Sequence, residues 1–112
     1  MCSKNTLNRI TTSAAQKSKQ LLRDELISVI LYGSYARGDN DEESDIDLLL
    51  LIDCPEELLR AYRTPIADIA SELSLDNGVT VSLLPFSKAT YEKYKNAMPF
   101  LINIEKEGIK VA

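Results

Sequence analysis

Asp45 and Asp47 stand one residue apart at the head of the run Asp45-Ile46-Asp47-Leu48-Leu49-Leu50-Leu51-Ile52. Side chains alternate along a strand, so both carboxylates face one side and Ile46 faces the other. Like charges at this spacing repel and raise each other's pKa unless a cation lies between them. Water also becomes scarce beyond Leu48. The plain alternative is a frayed strand end with both acids in water. Against it stands the cost of two like charges with no compensating lysine nearby. A divalent cation held by oxygen ligands, Mg²⁺ or Mn²⁺, resolves the conflict.

Upstream, the apolar segment Ile27–Tyr32 runs into Gly33-Ser34 and a short helical turn. Such a junction aims backbone N–H groups outward and favours an anion. Gly33 lets a phosphate approach the backbone, Ser34 adds a hydroxyl donor, and Arg37 adds a fork suited to phosphate oxygens. Taken alone, Gly33-Ser34 reads more readily as a plain turn, and Arg37 as a solvated surface cation, because short glycine motifs recur by chance. Asp39, Asp41, Glu42 and Glu43 read as solvated loop charge. The two halves fit together chemically, because Mg²⁺ bridging carboxylates and nucleotide phosphates is the common arrangement for phosphoryl and nucleotidyl transfer.

These groups need a scaffold. Leu7, Ile10, Ala14, Leu21 and Leu22 recur at helical spacing, which predicts an amphipathic helix over residues 6–24. Ile27–Tyr32 and Asp45–Ile52 predict strands, the second apolar on both faces and so central in its sheet. Pro55 opens a helix with Leu58, Tyr62, Ile66, Ile69 and Leu73 on its buried face. Pro65 predicts a kink or a break within it. Asp76-Asn77-Gly78 predicts a turn, and the alternation of residues 79–84 a third strand. Ser87 can cap a helix reaching about Lys95, and a last helix follows Pro99 and ends near Gly108. The expected fold class is α+β, with α/β-type layers: a small mixed sheet with helices packed on it.

The chain has 112 residues, enough for one compact domain over 1–112 with a real core. A net charge of −4 argues against a broad nucleic-acid surface. The absence of histidine excludes His-based triads and the usual zinc sites. Cys2 and Cys54 lack metal or redox spacing and read as free thiols in a reducing cytosol. No signal peptide or membrane span is expected, so the location is read as cytoplasmic.

Gly33-Ser34-Tyr35-Ala36-Arg37-Gly38, followed by Ser44-Asp45-Ile46-Asp47-Leu48, resembles the GSxARG…SDxDL signature of the minimal nucleotidyltransferases. These belong to the DNA polymerase beta-like nucleotidyltransferase superfamily. The resemblance implies the nucleotidyltransferase fold. It also implies nucleotide binding by Gly33 and Ser34, with Arg37 as a further candidate, and Asp45 and Asp47 as catalytic metal ligands for Mg²⁺ or Mn²⁺. The implied reaction is attack by an acceptor hydroxyl on the α-phosphate of an NTP, ATP above all, with loss of pyrophosphate. Many minimal members act as antitoxins to a HEPN-type toxin, in some cases by moving AMP onto a toxin tyrosine. One feature departs from the pattern. Relatives carry a third carboxylate on the adjacent strand, where this chain offers Thr80 and Ser82. Thr80, flanked by two valines, matches the apolar–acid–apolar pattern more closely. The chain also has the size of the catalytic core alone, so the acceptor comes from a partner or from a second copy. Two readings stand beside the enzyme: a non-catalytic module binding NTP or a toxin, and a structural domain whose acids are incidental.

Overall fold

The computed structural model describes residues 3–112, so Cys2 lies outside the described residues. Helix α1 (Lys4–Leu22) starts at Ser3, whose hydroxyl accepts the Thr6 N–H at 3.1 Å. It buries Ile10, Ala14 and Leu22 on one stripe. A 3-10 turn, Arg23–Glu25, replaces the last turn expected of this helix and leads into β1 (Leu26–Tyr32). A single helical turn, α2 (Ser34–Arg37), follows, and then the acidic loop and β2 (Ile46–Ile52). Helix α3 (Glu56–Asn77), strand β3 (Val81–Ser87), helices α4 (Lys88–Tyr94) and α5 (Pro99–Glu107), and the two-residue strand β4 (Ile109–Lys110) complete the chain.

The sheet order is β3-β2-β1-β4. β1 runs antiparallel to β2 and β4, and β2 runs parallel to β3, so the sheet is mixed and the fold is α+β. β2 is central, as its two-faced apolar pattern predicts. Ile46, Leu48, Leu50 and Ile52 point into the core formed with α1 and α3. Leu49 and Leu51 point the other way, onto Tyr91, Leu101 and Ile104 of α4 and α5. The strand expected from Asp45 starts one residue later, at Ile46, so Asp45 ends the acidic loop and only Asp47 of the pair lies in β2. Ile46 is fully buried on the α1/α3 side, while the exposed Asp45 lines an opening with Thr6 of α1 and Asn77 of α3.

Several expectations need correction. Helix α3 runs unbroken through Pro65. The Ala61 carbonyl that loses a donor sits on an exposed residue where water can reach it, while Leu59, Ile66 and Leu73 hold the helix to the core on both sides of the proline. These three recur every seven residues, and that phase buries Leu59 rather than Leu58, which is 40% exposed. The helix absorbs the expected Asp76-Asn77 turn and ends at Gly78, whose φ of 65° supplies the left-handed cap. β3 starts two residues later than expected and continues through Pro85 to Ser87. Proline is tolerated there because β3 is an edge strand. The capping role of Ser87 and the span of α5 match their sequence signals. Cys54 is a half-buried free thiol. Among the described residues, no helix is long and apolar enough to cross a membrane.

Glu56 ties the start of α3 to the β3–α4 junction. Its carboxylate accepts hydrogen bonds from Ser87 Oγ at 2.8 Å and Thr90 Oγ1 at 2.9 Å. These bonds, Ser87 first, hold its pKa below the usual glutamate value. A lowered acid pKa contributes stability above the ordinary glutamate range, and that contribution is lost as pH falls through the lowered value. Glu56→Ala is therefore expected to lower Tm at neutral pH. Thermal melts of variant and parent should converge as pH drops below that range; a constant gap at all pH values would refute the electrostatic account.

Candidate active site

Gly33 is the pivot between β1 and α2. Its φ of 79° and ψ of −156° fall in a region that only glycine occupies readily. A side chain here would also collide with its neighbour: a Cβ built on Gly33 would lie 2.7 Å from Asp47 Oδ2. Thus Gly33 lets the Asp47 carboxylate rest against the chain just where the Gly33-Ser34 turn begins. Beyond it, the Ala36 and Arg37 N–H groups donate to the Gly33 carbonyl, both at 3.1 Å. The earlier N–H groups of the turn fall outside this ladder.

Strand register assembles the rest. Tyr32 pairs with Asp47 across β1–β2, and Ser82 pairs with Asp47 across β2–β3. Thr80 lies just before β3, its carbonyl accepting the Ile46 N–H at 2.9 Å, which places it one register step away, alongside Asp45. Asp45 is exposed and Asp47 half-buried. Burial first, and then the Asp45 charge, push the Asp47 carboxyl above the usual aspartate pKa. Burial, followed by the Asp47 charge, likewise pushes the Tyr32 phenol up to about 12. Both shifts have the same causes in the same order: burial disfavours the charged form, and a neighbouring carboxylate adds to it.

The structure brings Gly33, Ser34, Asp45 and Asp47 to one end of adjacent strands. Ser82, too, is beside the pair. Arg37 lies on the α5 side of the Gly33 turn. Its guanidinium contacts Asp39 at 3.1 Å and Glu107 at 3.6 Å, so its charge is already partly engaged. Asp41 organises the acidic loop by accepting the Glu43 N–H at 2.9 Å and the Ser44 hydroxyl at 3.2 Å. Glu72 pairs with Lys17 at 3.0 Å, between α3 and α1. Among the described residues, no group of three or more carboxylate, histidine or cysteine side chains is placed to share a metal.

Two openings flank the carboxylates. A polar cleft of about 430 Å³ is lined by Asp45, Thr80, Tyr35, Glu42 and Glu43 at the mouth of the acidic loop. A smaller one of about 230 Å³ lies between the β1–α2 junction and α5, where Phe100, Asn103 and Glu107 face Gly33 and Tyr32. The sequence signals the helix that carries these three residues but not that it stands over the glycine turn.

The sequence model described as Nucleotidyltransferase domain matches residues 12–111, a span that contains the whole Gly33–Leu48 signature. The chain belongs to the nucleotidyltransferase domain family. Three relatives from Methanocaldococcus jannaschii are each named a "putative protein adenylyltransferase". One is 37% identical over 91 residues, spanning 81% of this chain and 84% of the relative. A second is 36% identical over 94 residues, spanning 84% of each. A third is 40% identical over 77 residues, 68% of this chain and 52% of the relative. Among solved structures, one described as a toxin-antitoxin with AMP-PNP aligns with a TM-score of 0.55 and 19% identity, covering 88% of this chain and 70% of that one. A mutant of the toxin-antitoxin MntA-HpeT aligns with a TM-score of 0.54 and 19% identity, covering 88% and 69%. At that identity the two structures show the shared fold. As a nucleotidyltransferase, the protein takes a nucleotide substrate, and the family works with a divalent metal. Asp45 and Asp47 suit such an ion: the donors are hard oxygens at the head of β2, and Asp47 carries a charge that its surroundings disfavour. Two carboxylates make a partial ligand set, of the kind that substrate phosphates complete.

Proposed function

We propose that the protein is a Mg²⁺-dependent adenylyltransferase that moves AMP from ATP onto a hydroxyl, with a tyrosine of a HEPN-type toxin as the acceptor class and the cytoplasm as its location. The observation that carries this reading is the contact of Asp47 with the Gly33 turn, which joins the acid pair to the phosphate cradle. The names of the relatives, and the toxin–antitoxin fold neighbours, support the choice of AMP and of a protein acceptor.

Asp45 and Asp47 would hold the metal, which when bound neutralises phosphate charge and makes the α-phosphorus more electrophilic. The Gly33-Ser34 turn holds the triphosphate by backbone N–H groups and the Ser34 hydroxyl. The new bond joins the acceptor oxygen to the α-phosphorus. The α–β bridging bond breaks, and pyrophosphate leaves. Where relatives carry a third carboxylate to take the acceptor's proton, this chain has Ser82 beside Asp47 and Thr80 beside Asp45. A hydroxyl is a poor Mg²⁺ ligand and no base, so the chain alone turns over slowly. That gap also supports the second reading, a binding module that holds nucleotide or toxin without transfer.

Transfer of label from α-labelled ATP, with and without a HEPN-type toxin as acceptor, separates the two readings. Labelled partner is the expected result; ATP binding with no transfer under any condition would leave the binding module. The register favours Ser82 over Thr80 as the place to restore an acid, because Ser82 is in β3 and directly pairs with Asp47. Ser82→Asp is expected to raise pyrophosphate release about 10²–10⁴-fold, the usual range for a positioned general base. A parent already turning over at about 1 s⁻¹ or more would show that the third acid is dispensable.

A further inference from the structure

The opening between α2 and α5 is unlike the acid-lined cleft on the other side of Asp45. Its walls are apolar and aromatic: Ile104 closes one side, and Tyr32 and Phe100 meet edge to face with ring centroids 5.4 Å apart. Its polar groups are the Asn103 amide and the Glu107 carboxylate. Arg37, its cation, is already shared between Asp39 and Glu107. A triphosphate would find little free positive charge here and one carboxylate to repel it. A nucleoside would find what it needs: aromatic surface for a base, a carboxylate to accept from ribose hydroxyls, and an amide to read an edge. The opening also begins at Gly33, the residue that abuts Asp47. A nucleotide with its phosphates on the Gly33-Ser34 turn therefore has its nucleoside within reach of α5.

We infer that the pocket between α2 and α5 holds the nucleoside half of the substrate, with Phe100 and Tyr32 as the stacking surface and Asn103 as the base-reading residue. This rests on the nucleotidyltransferase reading above and adds to it a subsite and a preference. The Asn103 amide offers a donor and an acceptor side by side. Adenine presents the matching donor–acceptor pair along its N6/N7 edge, whereas guanine presents two acceptors on the same edge. Adenine is thus the base this pocket selects. The pocket's volume of about 230 Å³ suits a nucleoside, lying a little below the range of about 300–1,000 Å³ typical of drug-sized ligand sites.

Phe100 is 37% exposed and Asn103 is also exposed, so both can be truncated with little cost to the core. The test titrates ATP, GTP and inorganic tripolyphosphate, each with Mg²⁺, into the parent, Phe100→Ala and Asn103→Ala, after thermal melts confirm that the variants fold. Phe100→Ala is expected to weaken ATP binding about tenfold or more, on the scale of one lost stacking contact. Asn103→Ala is expected to erase the preference for ATP over GTP. Neither variant should alter tripolyphosphate binding. Unchanged ATP affinity in both variants, or an equal loss of ATP and tripolyphosphate binding, overturns the subsite while leaving the enzyme assignment standing. A parent that binds neither ATP nor tripolyphosphate overturns the subsite and the proposed function together.

Discussion

Replacing both Asp45 and Asp47 with asparagine is expected to remove Mg²⁺-dependent nucleotide binding, and with it any transfer of nucleoside monophosphate. The loss should exceed about 100-fold in affinity for ATP–Mg²⁺, since removing even a supporting hydrogen-bond partner of a metal ligand typically costs about 10–100-fold. Asparagine keeps the shape of each side chain and removes its charge, so the fold is not challenged. Without metal, the variant should melt at the parent's Tm or above it, because the substitution removes a charge at Asp47 that burial first, and the Asp45 charge second, disfavour. Calorimetric titration gives the first number and a thermal melt in chelator the second. ATP–Mg²⁺ binding at parental affinity would show that the ion lies elsewhere.

Gly33→Val should damage the site and the fold together. Valine at a φ of 79° and ψ of −156° occupies backbone space that costs on the order of 1–3 kcal/mol for a residue with a side chain. Its Cβ would also press on Asp47 Oδ2, at a separation of 2.7 Å that no real contact sustains. The carboxylate must move, and the proposed cation site moves with it. The expected result is a stability loss of about 2 kcal/mol or more, together with lost nucleotide binding. Gly38 is the internal control. Its φ is 81°, yet a Cβ there would meet nothing within 4 Å. Gly38→Ala should therefore show the backbone cost while sparing nucleotide affinity. Equal loss of binding in the two variants would mean that backbone strain, not the Asp47 contact, explains the effect of Gly33.

Much of the molecule was legible from local chemistry. The apolar run after Asp47 determined a central strand, since only a strand covered on both faces tolerates Leu48 through Ile52 without a polar position. The two-residue period determined that Ile46, Leu48, Leu50 and Ile52 share one face, with Leu49 and Leu51 opposite. Pro55, Ser87, Pro99 and Gly108 marked helix ends because capping depends on a few adjacent residues. The signature from Gly33 to Leu48 pointed to the family for the same reason: its phosphate turn and its acid pair are close in sequence as well as in space.

What depends on residues distant in sequence needed the tertiary structure. The phase of α3 follows from how Pro55 launches it onto the sheet, so Leu59 and not Leu58 is buried, and continuous packing carries the helix across Pro65. Strand β4 is two residues of unremarkable sequence that become a strand only because β1 offers them an edge. That Arg37 has Glu107, seventy residues away, beside it is likewise visible only in the folded chain. The choice between Thr80 and Ser82 rests on the parallel register of β2 and β3, which strand alternation cannot supply because it places both residues on the same face. The pocket under α5 has the same origin. Phe100, Asn103 and Glu107 carry no motif, and they gain meaning only when packing of Leu101 and Ile104 on the sheet turns them toward Gly33.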